Sequence, residues 1–342
     1  MMIESEKQFI EFTTTAHSDL NGSGFAQVIN LGALPLNGSF KIDDGLQLRR
    51  ALPNELATLQ KAFALTYPPR AFSFPLRNPY ETFVREERQS SSHSSIIVEN
   101  LPQDQWRYHV VYFDGPSRQL FDFIESTILT KNRLQMGMVV HTFPGSPAPC
   151  YGGYSNLARH SEAFWNSDEV FCNVTEADID DMKSVYTKLK SGRDTIPRLA
   201  NALTQFAQLD SIPSHSALRF LGYVSIIESL IAHKSDQNNP ADSLTNQVSK
   251  KMALVGHRSK LPIPYDLLGV KGTNKHTMEV QSWRILYSYR SAIAHGSKPN
   301  FSNEFSCLRS PAIALEFITR STTALMRHYL DDPLLMNDLR EC

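Results

Sequence analysis

Cysteine is sparse and unpaired along the 342 residues: Cys150, Cys172, Cys307 and Cys342 are scattered with no C-x-x-C spacing among them. That pattern excludes a thiolate zinc ribbon and a disulfide framework, and it predicts reduced thiols. The eleven histidines show no H-x-x-x-H or H-E-x-x-H spacing, so neither a protein-built metal site nor a cofactor is expected. No run of eighteen apolar residues occurs, and the opening MMIESEKQFIEF is charged and lacks the apolar core of a signal peptide. The expectation is a soluble, cytoplasmic chain without a membrane span. Internal repeats and glycine-rich phosphate loops are missing too; PCYGGYSN at 149–156 has neither the lysine nor the strand-to-helix context of a P-loop.

Net charge is lacking as well, at −1, yet the total hides an asymmetry. Between 246 and 310 stand ten basic residues, Lys250, Lys251, Arg258, Lys260, Lys271, Lys275, Arg284, Arg290, Lys298 and Arg309, against three acids, Asp266, Glu279 and Glu304. A local excess of seven positive charges fits either a polyanion footprint or a solvated lysine-rich face. The acids Glu162, Asp168, Glu169, Glu176, Asp178, Asp180 and Asp181 fall in a stretch without Lys or Arg, which suits a solvated helix start or a self-inhibitory segment.

With 41% hydrophobic residues and 10% aromatics the chain can bury real cores, and its length favours two domains. In the first half, GFAQVINLG, GSFKIDDGLQLRRAL, YHVVYFDG and MGMVVHTFPG alternate like strands between turn residues, while LPNELATLQKAF and RQLFDFIESTILTKN carry helical periodicity. REERQSSSHSS, around 85–95, is hydrophilic throughout and predicts a mobile loop. After about 172 the period changes to that of helices. TEADIDDMKSVYTKLKSG opens on Thr175 as N-cap with Asp178 in the first turn, and IPRLANALTQFAQL repeats the pattern. SALRFLGYVSIIESLIAHK is apolar enough to be central, LTNQVSKKMALVG is shorter, and SPAIALEFITRSTTALMRHYL comes last. The expected fold is α+β: a mixed N-terminal domain over 1–172, then an all-α antiparallel bundle of about six helices over 173–342.

The chemistry concentrates in YRSAIAHGSKP, residues 289–299. From about 278, Trp283, Leu286, Tyr287, Ile293 and Ala294 trace an apolar stripe, and Arg290 shares its phase. A charge there needs a partner, either a carboxylate or an incoming phosphate. On a continuing helix Arg290 and His295 would stand roughly 140° apart. Gly296 suits a left-handed residue just past the helix end and Pro299 forbids continuation, so His295 should occupy the last helical position and turn toward Arg290. A histidine there can exchange protons near neutral pH, and an arginine fork suits a phosphodiester. The same spacing also fits a histidine that merely caps a helix. Trp283, Tyr287 and Tyr289 suit either base stacking or the core.

YSYRSAIAHGSKP resembles the signature of the HEPN superfamily, and LRFLGYVSIIESLIAHK, QVSKKMALVG and the intervening loop resemble the Apea-like HEPN family over roughly 200–330. The resemblance implies a metal-independent endoribonuclease, with Arg290 contacting phosphate and His295 acting on the 2′-hydroxyl or the leaving group. Ser291 stands where the family usually has a polar residue, often asparagine. Glu228, in the middle of an otherwise apolar helix, fits either a carboxylate that pairs with Arg290 or His295 or a surface-facing glutamate, and Tyr287 completes the supporting set. Lys250, Lys251, Arg284 and Lys298 are the expected RNA-binding residues. The resemblance further implies a homodimer with a composite cleft, a role as toxin or anti-phage effector, a phage or antitoxin trigger, and a sensing or restraining N-terminal domain. The competing expectation is a HEPN-like scaffold that binds a nucleotide, RNA or protein without catalysis.

Overall fold

The computed structural model describes residues 21–35, 38–66, 78–90, 93–142, 150–152, 171–213, 216–236, 239, 242–269 and 275–341. By internal packing the chain divides into two compact units, 1–127 with 132–186, and 128–131 with 187–342. The architecture is mixed α+β, with strands in the first unit and helices in the second.

A six-stranded antiparallel sheet organises the first unit in the order β3-β4-β7-β1-β8-β9. Its strands are β1 (Asn21–Val28), β3 (Ser39–Asp43), β4 (Leu46–Arg50), β7 (His109–Pro116), β8 (Met136–Thr142) and β9 (Cys150–Gly152). Successive side chains of a strand point to opposite faces, so one sequence feeds two cores. Ala26, Val28, Val111, Phe113 and Val139 join one cluster with Leu120 and Phe123 of α2 (Arg118–Ser126). Ile179, Met182 and Tyr186, from the start of α3 (Glu176–Gly192), complete it. Phe25, Val110 and Val140 join the other, with Leu59 of α1 (Pro53–Thr66) and Tyr80. The β3–β4 hairpin turns through Asp44 and Gly45. Gly45 has φ +73°, and a Cβ on it would meet the Asp114 carbonyl oxygen at 2.2 Å, so only glycine fits.

Two smaller ladders accompany the sheet: β2 (Leu31–Ala33) pairs in parallel with β10 (Cys172–Asn173), and β5 (Thr82–Ser90) pairs antiparallel with β6 (His93–Asn100). The second corrects the loop expected at 85–95. A two-stranded ribbon is held by its backbone ladder, which hydrophilic side chains do not forbid. The pattern over 118–132 overstates its helix too, since α2 stops at Ser126 and a 3₁₀ turn follows over Thr127–Leu129. There Thr127 Oγ1 donates to the Ile124 carbonyl and accepts from the Leu134 amide, which turns the chain.

Helix α3 begins as expected. The Thr175 amide donates to Asp178 Oδ2 at 2.9 Å and Thr175 Oγ1 accepts from the Asp178 amide at 3.2 Å, a reciprocal cap. Glu162, Asp168 and Glu169 lie outside the described residues. The expected change of texture at 172 precedes this helix, whose residues to Tyr186 belong to the first unit.

The second unit contains α4 (Pro197–Leu209), α5 (Ala217–Ile231), α6 (Leu244–Gly256), α7 (Lys275–Ala294), α8 (Pro311–Asp331) and α9 (Pro333–Glu341), the last unforeseen from the pattern. Helix α5 is central and touches α4, α6, α7, α8 and α9. Its apolar run explains why: Phe220, Tyr223, Val224, Ile226, Ile227, Leu230 and Ile231 are all buried. Ser216 caps it by accepting from the Leu218 amide.

Candidate functional site

Helix α7 carries the candidate residues, and its burial pattern sorts them. Glu279, Ser282, Trp283, Leu286, Tyr287 and Tyr289 are buried, whereas Arg284, Ser288 and Ser291 are exposed. Trp283 donates its indole N–H to the Tyr265 hydroxyl at 2.9 Å and packs on Phe317. Tyr289 lies among Phe220, Phe301 and Phe305. Trp283, Tyr287 and Tyr289 are therefore core residues, and the base-stacking alternative is set aside for them.

The Tyr287 hydroxyl donates to Glu228 Oε1 at 2.5 Å, and an Arg290 terminal nitrogen stands 3.9 Å from the same oxygen. Glu228, midway along α5, thus faces both. Its side chain is 19% exposed and that of Arg290 40%, so Arg290 sits at the rim of the apolar stripe rather than inside it. Burial pushes the Tyr287 phenol up, the Glu228 carboxylate adds to that shift, and the Arg290 charge opposes it. Tyr287 consequently stays protonated and always presents a donor to Glu228. Arg290 makes no hydrogen bond among the described residues, which leaves its fork available on the solvent side.

The helix end follows the glycine signal. Gly296 has φ +70°, its amide donates to the Ile293 carbonyl, and the Ser297 amide donates to the Ala292 carbonyl at 2.9 Å. These two bonds are the Schellman pattern, with His295 as the residue between helix and glycine, one place beyond the expected last helical position. The His295 side chain is exposed and has no hydrogen-bond partner among the described residues. Ser291 is exposed, and its carbonyl accepts the His295 amide at 3.0 Å. Downstream, Phe301 and Phe305 pack on Tyr289, which fixes the returning chain against the helix that bears Arg290.

Of the four expected RNA-binding residues, Lys250, Arg284 and Lys298 are exposed. Arg284 reaches Asn246 Oδ1 at 3.4 Å. Lys251 is a correction. It is buried, with its ammonium donating to the carbonyls of Ile231 at 3.1 Å and Arg340 at 3.4 Å. Neighbouring helical residues point about 100° apart, which lets Lys250 face solvent while Lys251 turns into the bundle.

Linear spacing missed one constellation. His257, just past α6, and His276 and Glu279, in the first turns of α7, bring one ligand-type atom each within 4.8 Å of one another. The histidines belong to different helices, so no H-x-x-x-H motif announces them. Compared with known proteins, the chain matches no family model, no curated protein and no solved structure.

Proposed function

We propose that the helical unit is a HEPN-type, metal-independent endoribonuclease whose reacting groups are Arg290 and His295. The observation that carries this reading is an accessible guanidinium, with the Glu228 carboxylate 3.9 Å away, and an exposed imidazole five residues further on at a glycine-terminated end of the same helix. The resemblance of YSYRSAIAHGSKP to the HEPN signature supplies the reaction. The substrate's own 2′-hydroxyl oxygen attacks the adjacent phosphorus and the bond to the 5′-oxygen breaks, leaving a 2′,3′-cyclic phosphate and a 5′-hydroxyl. His295 takes the 2′-hydroxyl proton or supplies one to the departing oxygen, water makes the other transfer, and Arg290 neutralises the charge that gathers on the non-bridging oxygens. Lys250, Arg284 and Lys298 hold the RNA backbone, and a second copy of the chain supplies the facing motif of a composite cleft. Toxicity or anti-phage defence in the cytoplasm, released by a phage or antitoxin signal, is the accompanying biological proposal.

A second reading is favoured by one feature, the Glu228 carboxylate that already accompanies Arg290. On that reading the bundle is a scaffold that binds RNA, a nucleotide or a protein without cutting. Purified chain incubated with end-labelled RNA, without added divalent ions, separates the two. The nuclease reading expects cleavage that falls by about 10² or more in His295→Ala, the range of general acid–base catalysis, and falls comparably in Arg290→Ala. Cleavage that survives both substitutions overturns the site, and RNA binding without cleavage by the unsubstituted chain selects the scaffold.

A further inference from the structure

The end of α6 and the start of α7 meet at three side chains that the nuclease reading does not use. His257 is the C-cap of α6, its amide donating to the carbonyls of Leu254 and Val255. His276 and Glu279 stand three residues apart near the start of α7 and so share one face of it. Their arrangement is layered: the Glu279 side chain is 2% exposed, whereas both histidines are at the surface. His257 Nε2 lies 3.0 Å from Glu279 Oε2, and the two imidazole rings are 5.9 Å apart between centroids, tilted by 40°.

An ordinary ion pair between His257 and Glu279 accounts for two of these groups and leaves His276 unexplained. Its ring lies beside that of His257 and offers a second imidazole nitrogen to the same small volume, which together with the carboxylate makes a three-donor ligand set. The helix ends contribute in opposite senses. Carbonyls at the close of α6 favour a positive ion beside His257, while the amino end of α7 opposes it and the Glu279 carboxylate offsets that opposition. Ligand type narrows the choice. Calcium and magnesium take oxygen ligands, whereas two imidazoles and one carboxylate suit a zinc-class ion. Tetrahedral bonds of about 2.1 Å require donor atoms about 3.4 Å apart. The 3.0 Å pair and the 4.8 Å limit bracket that spacing, so rotation of exposed rings closes the set.

We infer that His257, His276 and Glu279 bind one divalent transition-metal ion of the zinc class, which ties the end of α6 to the beginning of α7 and keeps a coordination position open to water. The site is separate from the proposed nuclease residues, because Glu279 and Arg290 are eleven positions apart on one helix, or about 16 Å along its axis.

The test uses the full chain, freed of metal by chelator and dialysis, titrated with Co²⁺ by visible absorption and with Zn²⁺ by calorimetry. The expected result is one equivalent of either ion per chain, with the intense visible bands of a tetrahedral Co²⁺ complex. His276→Ala and Glu279→Gln are each expected to weaken binding by at least about tenfold, while Arg290→Ala leaves it unchanged. Because His276 is exposed, its substitution should preserve the far-UV circular dichroism, and it decides the matter alone should Glu279→Gln fail to fold. No saturable binding, or one-equivalent binding unaltered in His276→Ala, overturns the inference.

Discussion

Lys251 Nζ lies 3.1 Å from the carbonyl oxygen of Ile231, the last residue of α5, and 3.4 Å from that of Arg340, near the end of α9. One ammonium therefore answers the carbonyl-rich ends of two helices. Lys251→Met keeps the stem and removes the charge, and we expect a loss of about 2 kcal/mol, the scale of a charged hydrogen bond withdrawn from buried acceptors. Lys250→Met, on the exposed neighbour, should stay within about 0.5 kcal/mol and weaken RNA binding instead. Urea unfolding of both variants, beside RNA titrations, checks the contrast.

Gly296 is left-handed and a Cβ added there would meet nothing within 4 Å, so the cost of a side chain is one of backbone alone. Gly296→Ala should destabilise the chain by about 1 kcal/mol. If His295 reacts with RNA, the same change should reduce cleavage beyond what the stability loss explains, because it re-aims the preceding residue. Thermal unfolding and initial cleavage rates, measured on the same preparation, separate the two effects.

Tyr287→Phe takes away the donor that Glu228 receives at 2.5 Å. A charge-assisted bond to a carboxylate that retains some solvent should be worth about 1–2 kcal/mol. Glu228 is then left with Arg290 as its neighbour, and the nuclease reading expects slower cleavage as that pair tightens. Glu228→Gln, which weakens the pull on the guanidinium, should move RNA affinity in the opposite direction. Equal affinities in the two variants would contradict this account.

Acid should affect the first unit through His109. Its ring nitrogen Nδ1 donates to the Leu31 carbonyl at 3.1 Å, and burial pushes the imidazole down to about 4, with the Leu31 hydrogen bond opposing that shift and the Arg50 charge adding to it. The unfolded chain, with an ordinary value near 6.5, binds the proton first. Stability from this group is therefore complete above about pH 6.5 and declines as the pH falls toward about 4, by on the order of 3 kcal/mol. Denaturant midpoints across that window should show the slope, and His109→Asn should flatten it.

Much of the helical half was legible because its signals are local. Thr175 and Asp178 mark a helix start through their own side chains, and Gly296 with Pro299 marks a helix end. Three features escaped for different reasons. The β5–β6 ribbon holds itself by backbone pairing, so its hydrophilic side chains resemble a loop. Lys250 and Lys251 look alike in sequence, and only the packing of α6 decides which one is buried. His257 and His276 come together through a long excursion of the chain that no local spacing records. The Glu228 partnership lay in between: a carboxylate amid apolar residues on a core helix invites a counter-charge, but Tyr287 as its donor emerges only in three dimensions.

Helix α3 starts within one unit and finishes within the other, its residues through Tyr186 counted with the sheet and those from Thr187 onward with the bundle. A shortened chain begun at Thr187 would discard the Thr175 cap and strand a stub running only to Gly192, too brief to hold its own turns in water. A cut ahead of Thr175 keeps the rod whole but takes Ile179, Met182 and Tyr186 away from the sheet they seal, so neither division leaves both halves intact.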